Sequence, residues 1–284
     1  MATYIGTHGG KIQNYSSDPS NPVEGEVWYN STSNAIKLNT GALSWATGGS
    51  LNTGRTGGAG GAGSTTSASM AFSGDPRPAV GIKTELYNGS NWTEVNDLNQ
   101  IRSAGASAIH GTQTAALWFG GVDVPSGVSI KTETEKWNGT NWTEVNDLNQ
   151  GRYYVSGAGT NTSALAFGGQ NPTSTKLAQT EIWNGTNWTE VGDLNTARAF
   201  AGGSGIVTSA LCFGGEVPPG ETASAVTESW NGSAWTEVND LITARNQTNG
   251  NGFSNSSAIS FGGSPGSNTL TQIWGGGIKT IGTD

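Results

Sequence analysis

One stretch constrains this chain more than any other: residues 137–152, reading WNGTNWTEVNDLNQGR. Lightly edited, it returns at 87–102, 183–198 and 230–245. The second aromatic of each copy is Trp92, Trp142, Trp188 and Trp235, at spacings of 50, 46 and 47 residues. A fainter copy ends in Trp45 and Arg55. Between each Arg and the next aromatic pair runs an apolar stretch closed by Gly-Gly. It reads WFGG at 118–121, AFGG at 166–169, CFGG at 212–215 and SFGG at 260–263, with AFSG at 71–74 as the first copy. A fixed period of this length means one domain assembled from repeated units, although 284 residues would otherwise allow two domains.

Within one unit, 102–152, four strands are expected. A strand of small residues (SAGASAI, 103–109) turns through His110 to Gln113 into an apolar strand (TAALWF, 114–119), stopped by Gly120-Gly121. After a longer loop, 134–137 and 141–145 pair across Asn138-Gly139, a strong hairpin signal. Only 12% of residues are charged and 45 are Gly, which excludes a helical bundle. Eleven Trp and seven Phe at recurring positions exclude disorder.

Four-stranded units repeating at about 47 residues predict the blades of a β-propeller. The order Arg, apolar run, Gly-Gly, aromatic, Trp resembles the kelch repeat over roughly residues 43–275. Its matches include Phe119-Gly120-Gly121, Trp137, Trp142 and Arg152, then Phe167-Gly168-Gly169, Trp183, Trp188 and Arg198. Ser73 stands where the first Gly of blade one is expected, and no Asp-Pro occupies the last turn of any blade. Strand ends of the Gly-Gly type number five; fourth-strand Trp residues number five only if Trp45 is included. The expectation is therefore an all-β, five-bladed kelch-like propeller whose last blade is closed by an N-terminal strand at 42–47.

Residues 1–24 carry no repeat and read as an arm or docking segment, leaving 25–284 as the propeller. Residues 25–50 (GEVWYN…AIKL…SW) read as a short module of three strands that supplies the closing one. This WYN module resembles modules in tail-fibre and other virion proteins of tailed bacteriophages. The start MATYIG with FGG repeats is similar to proteins of marine phages.

A net charge of −8 without any Lys/Arg block argues against nucleic-acid binding. No apolar run approaches membrane-spanning length, and the start lacks the apolar core of a secretory signal. One Cys and two His leave no disulfide and little for a metal. Cys212 reads as core, and His8 and His110 lie in polar segments with no partner to orient them. The abundant Asn-x-Ser/Thr sequons (Asn88, Asn91, Asn138, Asn141) read as turn chemistry. Kelch-type copper oxidases need His, Tyr and Cys ligands that this chain does not offer, so no cofactor is expected.

Arg55, Arg102, Arg152, Arg198 and Arg245 occupy one equivalent position and form the candidate binding ring, for an anion or a carboxylated sugar. The competing expectation is that each satisfies loop carbonyls or the Asp of the preceding VNDL-type segment (Asp97, Asp147, Asp193, Asp240). Glu85, Glu135, Glu181 and Glu228, with Glu94, Glu144, Glu190 and Glu237, could suggest a glycosidase pair. They recur in every blade, so a structural role is expected and no enzyme. Loops such as VDVPSGVSIK and EVPPGETASAV vary while the NGTN-type turns do not, which marks the variable-loop face for binding. These loops contain no aromatic. The functional expectation is a non-enzymatic virion protein of a tailed bacteriophage, made in the host cytoplasm and carried in the particle. Its partners would be other virion proteins through the arm, and a host-surface glycan or protein. The alternative is a stand-alone carbohydrate-binding propeller.

Overall fold

The computed structural model describes residues 12–19, 27–38, 48–65, 67–76, 79–123, 129–266 and 269–275. Among them every regular element is a β-strand, and the chain divides into two compact units, Met1–Gly48 and Gly49–Asp284.

In the first unit, Val27–Asn30 pairs antiparallel with Ala35–Leu38, as VWYN and AIKL predict. Gln13–Tyr15, which the sequence places inside an unrepeated arm, pairs parallel with Val27–Asn30. The sheet is pinned by one carboxylate: Trp28 Nε1 and Asn30 Nδ2 both donate to Asp18 Oδ1, at 3.0 and 2.7 Å. The expected closing strand at 42–47 lies outside the described residues.

Besides two two-stranded ribbons, Val122–Asp123 with Ser129–Ile130 and Glu216–Val217 with Thr222–Ala223, the described second unit holds five antiparallel sheets of three or four strands in chain order. The first comprises Thr56–Thr65, Ala68–Asp75, Thr84–Tyr87 and Trp92–Glu94. The second comprises Ala106–Ser107, Ala116–Phe119, Thr134–Trp137 and Trp142–Val145. The third comprises Ser156–Thr160, Ser163–Phe167, Thr180–Trp183 and Trp188–Glu190. The fourth comprises Gly202–Ile206, Ser209–Phe213, Thr227–Trp230 and Trp235–Val238. The fifth has three described strands, Asn249–Ser254, Ser257–Phe261 and Thr271–Gly275.

The first strands of consecutive sheets pack side by side, which explains their small residues. A Cβ on Gly157 would sit 2.5 Å from the Ser107 carbonyl oxygen, and one on Gly203 would sit 2.7 Å from that of Gly157. In the second sheet this strand is shorter than the expected 103–109. Beyond Ser107 the chain bonds outward instead: His110 N donates to Gly159 O at 2.9 Å, and Gly63 N donates to Gly111 O at 3.1 Å.

The second strands of the second, third and fourth sheets are buried because sheets cover both their faces; Leu165 and Phe167, like Leu211, are fully enclosed. The third-strand Trp137, Trp183 and Trp230 are fully buried, and their indoles donate to carbonyls of the preceding turn (Gln113, Asn161, Val207). The fourth-strand Trp residues of the second, third and fourth sheets cross to the preceding sheet. Trp142, Trp188 and Trp235 donate to Thr84, Thr134 and Thr180 Oγ1, all at 2.9 Å. Their rings lie 4.8–5.0 Å from Phe72, Phe119 and Phe167. Burying each such ring is worth about 1.5–3 kcal/mol. The next slot in this series, between Phe213 and Thr227, is an apolar groove of about 50 Å³ also lined by Leu241, Ile273 and Trp274.

The hairpins at Asn138-Gly139 and its equivalents form, but not as two-residue turns. Trp137 pairs with Trp142, leaving four residues between, and Asn138 Oδ1 accepts from the N–H groups of Thr140 and Asn141, both at 2.9 Å. The sequon asparagine at this position is therefore the turn's internal acceptor.

Candidate functional site

The repeated order produces one buried Arg–Glu ion pair in each of the first four sheets. Arg55, Arg102, Arg152 and Arg198 reach Glu85, Glu135, Glu181 and Glu228 at 2.7, 3.1, 2.6 and 2.6 Å. Both partners are almost wholly enclosed. Each guanidinium also bonds backbone carbonyls: Arg152 Nη1 donates to Gln179 O at 2.7 Å, and Arg198 Nη1 to Val226 O at 2.6 Å. The Glu in turn accepts from an Asn of the preceding segment. Asn149 donates through its backbone and side chain to Glu181 Oε2, both at 2.8 Å, and to Trp188 O at 3.3 Å. Burial pulls the Arg102 and Arg152 pKa values down, against the pull of Glu135 and Glu181. Burial pushes the Glu85 carboxyl up, but hydrogen bonds from Asn52, Arg55 and Thr53 outweigh it, leaving its pKa below the usual range.

The expected Asp partner is thus not the one the Arg takes. Asp97, Asp147, Asp193 and Asp240 instead accept from the backbone N–H of Thr84, Thr134, Thr180 and Thr227. An Asp side chain is too short to enter the sheet interior, whereas the third-strand Glu already points there. In the fifth sheet the pattern changes: Gln272 replaces the Glu and Ile242 replaces the Asn. Arg245 donates to Gly262 O and Gly263 O at 2.7 and 3.0 Å, while Gln272 exchanges bonds with the backbone of Thr243.

Two residues beyond each Arg the chain enters a cavity of about 590 Å³, bordered by all five sheets. The equivalent residues there are Gly57, Ala104, Tyr154, Phe200 and Gln247. Ala104, Tyr154, Phe200 and Gln247 all have φ between +50° and +57°. Their backbones are linked from sheet to sheet: Tyr154 N donates to Ala104 O, Phe200 N to Tyr154 O and Gln247 N to Phe200 O, at 2.7, 3.1 and 2.8 Å. The Tyr154 and Phe200 rings stack at 3.7 Å, with Tyr153 beside Tyr154 and Lys176 Nζ 5.4 Å above Phe200. Asp75, Thr248 and Asn249 supply polar lining. Of the five candidate arginines, Arg55 borders this cavity. Arg102, Arg152 and Arg198 are sealed inside their sheets.

The aromatics at the cavity lie outside the long variable loops, in the short segment between each Arg and the first strand that follows it. Their signal was the contrast within the repeat, RYY and RAF against RSA, at a position adjoining an unvarying Arg. His110, expected to have no partner, donates from Nε2 to Gly252 O at 2.9 Å and stacks on Phe253 at 4.2 Å, joining the second sheet to the fifth. Cys212 is fully buried, and burial pushes its thiol pKa up to about 12, which agrees with a core role.

No protein-family model and no curated protein matches the sequence. Solved structures do match. The structure of YjhT superposes with a TM-score of 0.61 over 74% of this chain and 73% of that one, at 13% sequence identity. At that identity the likeness is one of fold.

Proposed function

We propose that residues 49–275 form a five-bladed, kelch-like β-propeller, and that the protein is a non-enzymatic virion component of a tailed bacteriophage using this ring for host contact. Support for the ring comes from five successive sheets of one pattern bordering one cavity, with the first and last both on its wall. The fourth strand of the fifth blade is supplied by residues 42–47. The groove between Phe213 and Thr227 is where a fourth-strand Trp belongs by the pattern of the other sheets, and Trp45 is the Trp left over in the sequence.

The observation that carries the virion reading is the separation of roles along the chain. A small sheet built around Trp28 and Asp18, carrying no copy of the repeat, forms a compact unit of its own. It resembles virion modules and suits docking, while the repeated unit suits display. The non-enzymatic reading is supported by the commitment of Glu85, Glu135, Glu181 and Glu228 to buried arginines. Mass spectrometry of purified particles of the phage encoding this chain tests the placement. Presence at stoichiometric level is expected; recovery only in the lysate would overturn it.

The second reading, a stand-alone carbohydrate-binding propeller, is favoured by Tyr154 and Phe200 on the cavity wall. Partners in the first reading are other virion proteins through the N-terminal unit and a host-surface glycan or protein at the ring.

A further inference from the structure

We propose that the cavity bordered by Tyr154, Phe200, Gln247, Asn249 and Asp75 is a saccharide-binding site that takes one neutral hexopyranose unit of a larger glycan. The inference starts from a cost. The backbone at this position is left-handed in four of the five units, a conformation that L-residues with large side chains avoid and that typically costs about 1 kcal/mol or more. The second unit meets this conformation with the small Ala104, yet units three and four carry Tyr and Phe. The backbone hydrogen bonds that run from Ala104 to Gln247 hold the strained conformation in place. Nothing in the packing of the sheets requires aromatic rings there, since both are only half-buried. Strain retained at a cavity wall is a mark of function.

The chemistry of the wall selects the ligand class. One side is apolar and rigid, made by the stacked Tyr154 and Phe200. The other side carries the exposed amides of Gln247 and Asn249 and the carboxylate of Asp75. A pyranose has the matching duality: a C–H face that packs on an apolar wall and vicinal hydroxyls that bond side-chain amides and carboxylates. Of the described cations nearby, Arg55 is neutralised by Glu85 at 2.7 Å and Lys176 by Glu216 at 2.9 Å. Among the described residues a phosphate or carboxylated sugar therefore finds no surplus positive charge, and a neutral sugar is preferred. The volume of about 590 Å³ falls within the range of small-ligand sites.

This inference deepens the host-contact reading but is tested without particles. Saturation-transfer NMR on the purified full chain would use methyl glucoside, methyl galactoside and methyl mannoside as neutral probes, with glucuronate and inorganic phosphate as charged ones. At least one neutral glycoside should receive saturation, and the effect should weaken about tenfold or more in the Tyr154→Ala/Phe200→Ala double variant. That variant reproduces Ala104, which the fold accepts at φ +57°, and an unchanged thermal midpoint would establish that it is folded. Silence from all three neutral glycosides, saturation of the charged probes alone, or binding that survives the double variant would each overturn the site. Sugar binding by a chain missing from particles would remove the virion placement and leave this site standing.

Discussion

In the first four sheets each enclosed guanidinium has a carboxylate beside it. Breaking such a pair leaves an uncompensated buried charge, at a cost of about 3–5 kcal/mol. We therefore expect Glu181→Ala to lower the unfolding free energy by that order. The double change Arg152→Met/Glu181→Leu should cost far less than the two single changes added together, as denaturant unfolding of all three variants would reveal. Protonation reports on two further residues. Glu85 has a depressed pKa, so its contribution is present above the unfolded carboxylate value, roughly 4.3, and is lost as pH falls through the lower folded value. The pKa of His110 is pulled below 6.5 by burial, partly offset by bonds to the Gly252 and Gly205 backbone. The unfolded chain then protonates first, so stability is held above about pH 6.5 and declines as pH drops. Thermal melts at pH 7 and pH 5.5 should show this decline in the wild type and a smaller one in His110→Gln. The recurrence of Arg in all five units and of Glu in four of them was legible in the sequence, and so was their structural alternative. That Glu rather than Asp is the partner was not, because nothing in the linear order tells which carboxylate points into the sheet.

At the scale of the element, the Gly-Gly that ends each second strand has a steric explanation. Gly168 has φ +66°, and a Cβ there would approach the Arg198 carbonyl oxygen to 2.6 Å. The first sheet carries Ser73 instead, at φ +61°, and its hydroxyl donates to the equivalent carbonyl, that of Arg102. A residue that departs from the repeat thus turns a clash into a hydrogen bond. Gly168→Ala should destabilise by more than about 1 kcal/mol, whereas Gly168→Ser should be better tolerated, a ranking that chemical denaturation can check. Strand order and hairpins were readable because aromatic spacing and Asn-Gly signals agree. The shortening of the second sheet's first strand was not readable, since it follows from bonds of His110 and Gly111 to other sheets. The pairing of Gln13–Tyr15 with Val27–Asn30 was hidden for a similar reason: a three-residue polar strand has no periodicity to display.

At the scale of the whole molecule, the joint between sheets is one device used repeatedly: a fourth-strand indole bonded to a third-strand Thr and packed on a second-strand Phe of the preceding sheet. The proposed five-bladed ring requires that Trp45, which lies outside the described residues, make that joint with Thr227 and Phe213. The exposed Ile242 and Ile273, 94% and 83% accessible, mark the margin where the described fifth sheet stops short of four strands. A double-mutant cycle between Trp45→Phe and Thr227→Val, read by denaturant unfolding, tests this most directly. The cycle between Trp188→Phe and Thr134→Val, whose indole bond is 2.9 Å, serves as the internal standard. If the proposed closure holds, both pairs couple by about 1 kcal/mol, the scale of a buried hydrogen bond. Additivity at Trp45 and Thr227, with coupling intact at Trp188 and Thr134, would contradict it.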